Sequence, residues 1–374
     1  MSINKVEKNE KIDNKINEKS KKVLLGMSGG VDSSVAAILL QKAGYEVIGA
    51  TMKLWEDKKN PEVEGGCCSF NAVYDAKRVC DQINIPHYTL NCEEDFQKYV
   101  IDDFINCYKD CKTPNPCIEC NRYLKFGRFY QKALELECDY VSTGHYAKIE
   151  FSEKYNQYVM KKSDAEKKDQ TYFLYSIPKE VLPKMIFPLE NFAEKNDVRK
   201  IAEEYNLKVA HKKDSQEICF IPDNDYGNFI EKNINEKVKI GDIVLKDGTI
   251  LGKHKGLIHY TIGQRKGLGI SYQKPIYVIK LDKEKNQVVV GEKKDLYKKE
   301  LDANFCNFLL NLDLTKPIEI MAKVRYRAKE EKAILKVNGK NAHLTFENPQ
   351  RAITPGQSVV FYIDDIVLGG GKIK

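Results

Sequence analysis

The sequence predicts an α/β catalytic domain built on a parallel sheet, followed by a small central domain and a C-terminal β-barrel-like domain. Three observations carry this. Short apolar runs alternate with helix-patterned segments from 23 to about 145, which argues for a parallel sheet covered on both faces. A turn rich in glycine and serine, Ser28-Gly29-Gly30-Val31-Asp32-Ser33-Ser34, joins the first apolar run to the first helical pattern. After about 228 the texture changes to short alternating segments broken by turns such as Lys246-Asp247-Gly248-Thr249 and Val337-Asn338-Gly339-Lys340.

In chain order, 1–21 is a Lys/Asn-rich tail with few large apolar groups, expected to be disordered. The catalytic domain is expected over 22–227. Its strands are read at 23–27, 47–53, 87–91 and 140–143, and its helices at 33–43, 72–83, 96–108 and 121–136. A polar stretch, 150–170, breaks the pattern and predicts a hairpin or loop. Helical segments at 179–187 and 194–205 lead to Asp214-Ser215-Gln216-Glu217-Ile218-Cys219-Phe220. The central domain is expected over 228–290 and the barrel or sandwich over 291–374.

Bulk composition narrows the function. With 374 residues, 42% apolar and 31% charged, the chain is a soluble multidomain protein. No apolar run approaches the roughly 20 residues a membrane helix needs, and the N-terminus shows no secretory pattern, so a cytoplasmic enzyme is expected. The net charge is +7, but residues 1–22 hold seven Lys against four acidic residues, so the remaining +4 permits a nucleic-acid partner without demanding one. Eleven cysteines in such a chain argue against a disulfide scaffold. Cys80, Cys107 and Cys138 read as small core residues, and Cys67-Cys68 have no assignment.

The turn at 28–34 is an anion site in the making. A strand, a glycine turn and a helix N-terminus in that order aim backbone N–H groups and the helix dipole at one spot. Gly29 and Gly30 let the backbone approach an anion, and Ser28, Ser33 and Ser34 add hydroxyls. Neither Gly-x-x-x-x-Gly-Lys-Ser/Thr nor Gly-x-Gly-x-x-Gly is present. The motif resembles the pyrophosphate loop (PP-loop) of the ATP pyrophosphatases, the adenine-nucleotide alpha-hydrolase-like fold, which split ATP to AMP and pyrophosphate while adenylating a substrate.

Thr113-Pro114-Asn115-Pro116-Cys117-Ile118-Glu119-Cys120-Asn121-Arg122 is a second constellation. The prolines predict an extended segment before a helix starting near Cys120. A thiol at such a helix start, beside Arg122, has its thiolate favoured. Cys117 and Cys120 alone make only half a zinc site, and no second Cys-x-x-Cys exists. Cys219 by itself reads as a buried core residue; with an activated cysteine and a nucleotide loop in one domain, it suggests sulfur transfer through a persulfide.

These segments, with Ser142-Thr143-Gly144-His145-Tyr146, Lys168-Asp169-Gln170-Thr171-Tyr172-Phe173-Leu174, His259-Tyr260-Thr261-Ile262-Gly263-Gln264-Arg265, Val324-Arg325-Tyr326-Arg327 and Arg351-Ala352-Ile353-Thr354-Pro355-Gly356-Gln357, resemble in order one family, the bacterial tRNA-specific 2-thiouridylases. The resemblance spans about 22–370. It implies ATP-dependent 2-thiolation of the wobble uridine, with ATP held by Gly26, Met27, Ser28, Gly29, Gly30, Val31, Asp32, Ser33, Met52 and Gly144, and Mg²⁺ on its phosphates. It implies that Cys219 carries the persulfide, that Cys120 is the nucleophile releasing 2-thiouridine, and that a Cys120–Cys219 disulfide results. Asn115, Pro116 and Cys117 would line the target base. His145, Lys168, Asp169, Gln170, Arg325, Tyr326 and Gln357 would touch the anticodon arm of tRNA. A cysteine desulfurase or sulfur-relay protein would donate sulfur to a monomeric enzyme.

One position departs from that family. Many members carry Asp where this chain has Cys117, so the group serving as acid or base there is open. The substitution creates a three-cysteine set, Cys117, Cys120 and Cys219, suited to a [4Fe–4S] cluster with an open iron. Two other readings compete: an amidotransferase-type adenylating synthetase, which has no use for Cys120 and Cys219, and an RNA-binding module without catalysis, against which the intact loop speaks.

Overall fold

The computed structural model describes residues 20–55, 70–212, 218–221 and 223–374. Most of the tail (1–19), Cys67-Cys68 and Asp214 to Glu217 lie outside the described residues. The chain opens with β1 (Lys22–Gly26), α1 (Val31–Lys42), β2 (Glu46–Lys53), α2 (Phe70–Gln82) and β3 (His87–Asn91). Two long helical runs follow, α3 (93–109) and α4 (116–135), each with a π-helical stretch, Gln97–Ile101 and Cys120–Arg128. Then come β4 (Tyr140–Thr143), β5 (Lys148–Ser152), β6 (Gln157–Lys161), β7 (Met185–Ile186), α5 (Lys195–Glu204) and α6 (Tyr226–Asn233).

Five strands make the expected parallel sheet, in the order β3-β2-β1-β4-β7. Alternation along β1 explains why it is apolar throughout. Leu24 enters one core with Ile48, Val141 and Phe104, while Val23 and Leu25 enter the opposite core with Val35 and Ala36 of α1. All three are fully buried, each worth roughly 1.5–3 kcal/mol of transfer free energy. β1 pairs in register with both β2 and β4, so it is the centre of the sheet.

Two expectations change. The helix read from about Cys120 begins instead at Pro116, because Asn115 sits at the N-cap in extended conformation and Pro116 takes the first helical position. Proline's fixed φ starts this helix as well as stiffening the segment before it. The helix read over 179–187 is a 3-10 stretch, Lys179–Lys184, followed by β7; Pro183 inside it cannot donate to an α-helical ladder. The broken stretch at 150–170 does contain a hairpin, β5–β6.

The central part holds β8 (Gly241–Val244), β9 (Ile250–His254), β10 (Tyr277–Asp282) and β11 (Gln287–Gly291), ordered β10-β11-β8-β9 around Ile243, Val278, Val288 and Val290. The C-terminal strands are β12 (Tyr297–Phe308), β13 (Ile318–Lys323), β14 (Glu331–Asn338), β15 (Asn341–Arg351), β16 (Ser358–Ile363) and β17 (Ile366–Ile373). Their ladder closes where β12 pairs with both β15 and β17, so this is a barrel and not a sandwich. The Asn-Gly signal at 338–339 is the β14–β15 hairpin turn. β6 adds to the barrel sheet by pairing with β17.

Candidate active site

The segment between β1 and α1 folds back on the helix start. Ser28 N–H donates to Ser33 Oγ at 3.2 Å, Ser33 Oγ donates to the Gly30 carbonyl at 3.2 Å, and Ser34 Oγ donates to the same carbonyl at 2.9 Å. Gly30 is the N-cap residue of α1 and brings no side-chain cap, so the N–H groups of the first turn are available to an incoming anion. Gly29 has φ +65° and lies directly against the Ala72 backbone, where a Cβ has no room. Met27, Val31 and Met52 are buried, and it is the backbone beside them that the loop presents. Gly144 follows β4, the neighbour of β1. A Cβ there would stand 2.8 Å from Ser33 N, so the two strand ends meet closely at the crevice where open α/β sheets bind ligands.

No Lys or Arg occurs between 23 and 41, so positive charge reaches this loop from elsewhere. Lys195, the first residue of α5, contacts Asp32 Oδ2 at 2.6 Å. Lys212 donates to the Gly29 carbonyl at 3.1 Å and to Asp75 at 2.7 Å. Tyr146 donates its hydroxyl to Asp32 Oδ1 at 2.8 Å. The sequence reading missed both lysines. One signal existed: a lysine opening a helix opposes the helix dipole, a local misfit that implies a nearby anion.

The thiols sit on the other helical layer. With α4 starting at Pro116, Cys117 occupies the first turn and is exposed, whereas Cys120 lies a turn further in and is buried. The dipole argument therefore favours Cys117 over Cys120, since that influence fades beyond the first turn. Arg122 stacks over the Tyr123 ring at 5.0 Å. Cys219, half-buried, packs against the same core that encloses Cys120. Phe220 pins it there, its ring against Phe96, Phe104 and Phe229 at 5.6, 5.4 and 5.3 Å. Thr113, Pro114, Ile218, Tyr226, His259 and Gln357 line a cleft of about 580 Å³ at this place. Burial pushes the Cys80 thiol up to about 12 and Cys107 up to about 11, which marks them as inert core thiols. Among the described residues, no group of three His, Cys, Asp or Glu is gathered to hold a metal ion, Cys117, Cys120 and Cys219 included.

Of the residues expected at RNA, Tyr326 packs on Tyr172 and Phe173, next to Lys168 to Gln170 in the chain. His145 Nδ1 lies 2.7 Å from Thr143 Oγ1, with its ring near Phe126 and Phe187. Lys168 is half-buried. Asp169 is buried: it accepts from Thr171 Oγ1 at 2.6 Å and Ser163 N at 3.2 Å, and burial raises its pKa. Gln170 Oε1 accepts from Tyr146 N–H at 3.0 Å. Arg325 donates to the Arg351 carbonyl at 3.0 Å, and Tyr326 packs on Phe173 at 4.5 Å. Gln357 donates to the carbonyls of Thr113 and Pro114 at 2.9 and 3.1 Å. Asp169, Gln170 and Gln357 thus direct these polar groups at protein.

Three family models match the chain end to end. One described as a tRNA methyl transferase HUP domain matches 21–223, one described as a tRNA methyl transferase PRC-barrel domain matches 227–292, and one described as an aminomethyltransferase beta-barrel domain matches 298–373. A curated "tRNA-specific 2-thiouridylase MnmA" of Clostridioides difficile is 52% identical over 356 residues, covering 95% of this chain and 98% of its own. The protein of the same name in Acetivibrio thermocellus is 51% identical over 357 residues, covering 95% and 99%. Among solved structures, a 4-thiouridine synthetase–RNA complex with bound ATP overlaps 55% of this chain and 46% of its own at 18% identity and a TM-score of 0.33.

Proposed function

The chain belongs to the tRNA-specific 2-thiouridylase family, and from that premise we propose that it is an ATP-dependent tRNA-uridine 2-sulfurtransferase acting on the wobble position. The observation that supports the reading is one apolar core that contains Cys120 and takes Cys219 against its edge. Ile218 beside Cys219, and Thr113-Pro114 leading to Cys120, line a single cleft in the same domain as an ATP-pyrophosphatase loop. Two of the family models are described for methyl transfer, yet Cys120 and Cys219 at one core suit sulfur chemistry.

The uridine O2 attacks the α-phosphorus of ATP, the bond to the β-phosphate breaks, and pyrophosphate leaves. Backbone N–H groups at 29–33 hold the phosphates, and Lys195 and Lys212 offset the charge that grows on the leaving group. Asp32, the one carboxylate among residues 26–34, already has Tyr146 on one oxygen and Lys195 on the other, so Mg²⁺ would be held by the ATP phosphates and would neutralise their charge. The adenylated oxygen is now part of a good leaving group. The terminal sulfur of a Cys219 persulfide attacks C2, and AMP departs with the oxygen. Cys120 thiolate then attacks Cys219 Sγ. The sulfur–sulfur bond breaks, its electron pair goes to the sulfur on C2, and 2-thiouridine leaves with a Cys120–Cys219 disulfide behind. A dithiol reductant supplies the two electrons that reset it.

The wobble base must unstack to enter the cleft, and the anticodon arm would lie across the central and barrel strands. The reading implies a monomeric cytoplasmic enzyme served by a cysteine desulfurase or sulfur-relay protein. No helix among the described residues is long and apolar enough to cross a membrane. Mass spectrometry of tRNA from cells with and without the gene tests the function: 2-thiouridine derivatives disappear with the gene, and unchanged thiolation in the absence of a redundant enzyme overturns it.

A second reading, sulfur delivery on a [4Fe–4S] cluster, draws on one observation: Cys117 and Cys120 lie three residues apart at the start of one helix, beside the core that Cys219 joins. The three thiols are not gathered in the described conformation, so no step is routed through it. Iron and sulfide analysis of anaerobically purified protein separates the two. An active, colourless, iron-free enzyme supports the persulfide route, and thiolation that requires stoichiometric iron supports the cluster.

A further inference from the structure

The barrel does more to the catalytic domain than lie beside it. Its 354–357 turn and its last strand take hold of both ends of the segment that carries the first thiols. At the upstream end, Thr113 N–H donates to the Pro355 carbonyl at 2.8 Å, and Gln357 Nε2 holds the carbonyls of Thr113 and Pro114. Gly356 makes this approach possible: φ is +89°, and a Cβ would stand 2.9 Å from Thr113 N. At the downstream end, Lys372 of β17 reaches Glu119 Oε1 at 2.9 Å and Asp103 at 3.4 Å. Glu119 immediately precedes Cys120 and is 5% exposed.

A carboxylate buried that deeply calls for a cation beside it, and here Lys372 comes to it from another domain. Burial is the largest influence on Lys372 and pulls its pKa down, but Glu119 and Asp103 outweigh it and hold the ammonium above its ordinary value. The Lys372 ammonium therefore keeps its charge at working pH. Between these two anchors lie Asn115, Pro116, Cys117 and Ile118, and directly after them Cys120. A segment held at one end by three hydrogen bonds and at the other by a buried ion pair has little freedom to shift its thiols.

We propose that the C-terminal barrel is a positioning element for the sulfur chemistry, with Lys372 and Gln357 as positioning residues that set the Cys117–Cys120 turn against Cys219. This rests on the thiolation reading for its consequence in turnover but not for its structural content. In this assignment Gln357 holds the protein segment at 113–114.

The test uses the full-length protein carrying Lys372→Met, Lys372→Arg, Gln357→Ala, or Glu119→Gln with Lys372→Met. The double substitution leaves no unpaired charge at the buried Glu119 position, only the part-exposed Asp103 without its lysine, and carries the test should Lys372→Met unfold; Gln357→Ala deletes only two hydrogen bonds and carries it independently. Thiolation is followed by mass spectrometry of a tRNA transcript with ATP, Mg²⁺, cysteine, a cysteine desulfurase and a dithiol reductant. Cys120 alkylation by iodoacetamide is followed without tRNA or ATP. Expected are a tenfold or greater fall in kcat for Lys372→Met and the double variant, KM for tRNA and ATP within twofold, and recovery to within threefold in Lys372→Arg. The Cys120 alkylation rate should change at least fivefold in the same two variants and in Gln357→Ala. A rise in KM for tRNA with kcat intact, or unchanged alkylation throughout, overturns the proposal. Changed alkylation in a protein whose wild type never thiolates tRNA keeps the positioning and removes the proposed function.

Discussion

The Tyr146 hydroxyl donates to Asp32 Oδ1 across 2.8 Å while Lys195 holds the other oxygen of the same carboxylate at 2.6 Å. Asp32 is thereby fixed from two sides: from the segment after β4 and from the start of α5. Its negative charge stands in the first turn of the helix whose N-terminus must accept phosphate. An uncompensated carboxylate there would repel the nucleotide, so Lys195 acts as its counter-charge and, in the proposed adenylation, would also face phosphate.

Lys195→Met should therefore weaken ATP binding and slow tRNA-dependent pyrophosphate release. The combined loss is expected at roughly 10²-fold in kcat/KM, on the order of removing one electrostatic donor from a reacting centre. Lys195→Arg should recover part of it. Pyrophosphate release within twofold of wild type in Lys195→Met would remove the lysine from the adenylation step.

Gly144→Ala places a methyl 2.8 Å from Ser33 N and 2.9 Å from the Asp32 carbonyl carbon. Both contacts are with the backbone of α1, which has no flexible end to yield. The helix start must move, and nucleotide affinity should fall at least tenfold, about 1.4 kcal/mol, with the thermal midpoint little changed. Titration calorimetry with ATP checks this against the melting curve.

Cys120→Ser and Cys219→Ser should each abolish 2-thiouridine formation while leaving pyrophosphate release dependent on tRNA. That split separates sulfur transfer from adenylation. An amidotransferase-type synthetase would show no loss in either variant, and reading pyrophosphate and thiolated base in the same samples distinguishes the outcomes.

The Lys372–Glu119 pair gives a pH signature in the alkaline range. The Lys372 pKa is raised above its ordinary 10.5, so its contribution to stability is complete below that value and is lost as pH rises through the higher folded-state pKa. The stability gap between wild type and the Glu119→Gln, Lys372→Met protein should stay level from neutral pH to about 10 and then move against the wild type. Thermal melts of both proteins across this range provide the check. A gap that stays flat beyond 11 would show that the pair does not titrate with folding.

The parallel sheet was legible because β1 and its neighbours are buried on both faces and so read as unbroken apolar runs, and the loop because glycine and serine stand between strand and helix. The barrel showed in its turn residues, although closure of the ladder through β12 and β17 depends on pairing partners far apart in sequence. What the sequence hid was charge brought in from a distance. Lys195 and Lys212 look like any solvated lysines until folding carries them to Asp32 and Gly29. The start of α4 was misread by about four residues because prolines were weighed as breakers, whereas Pro116 initiates. Gln357 stands in a motif, and the pattern holds no sign that Thr113 and Pro114 would meet it.

The hairpin β5–β6 bears on how this chain can be cut or recombined. Lys161 of β6 pairs with Ile366 and its side chain binds Asp365, while Lys162 donates to the Asp365 carbonyl and to Glu330. A ribbon encoded before residue 162 is thus completed by β17, about 200 residues downstream. A fragment ending near 227 would carry β6 with its outer edge unpaired, a template for joining other copies. Nascent chains pass through that condition until the barrel emerges, so grafting this catalytic half onto foreign partners requires the ribbon to be redesigned with it.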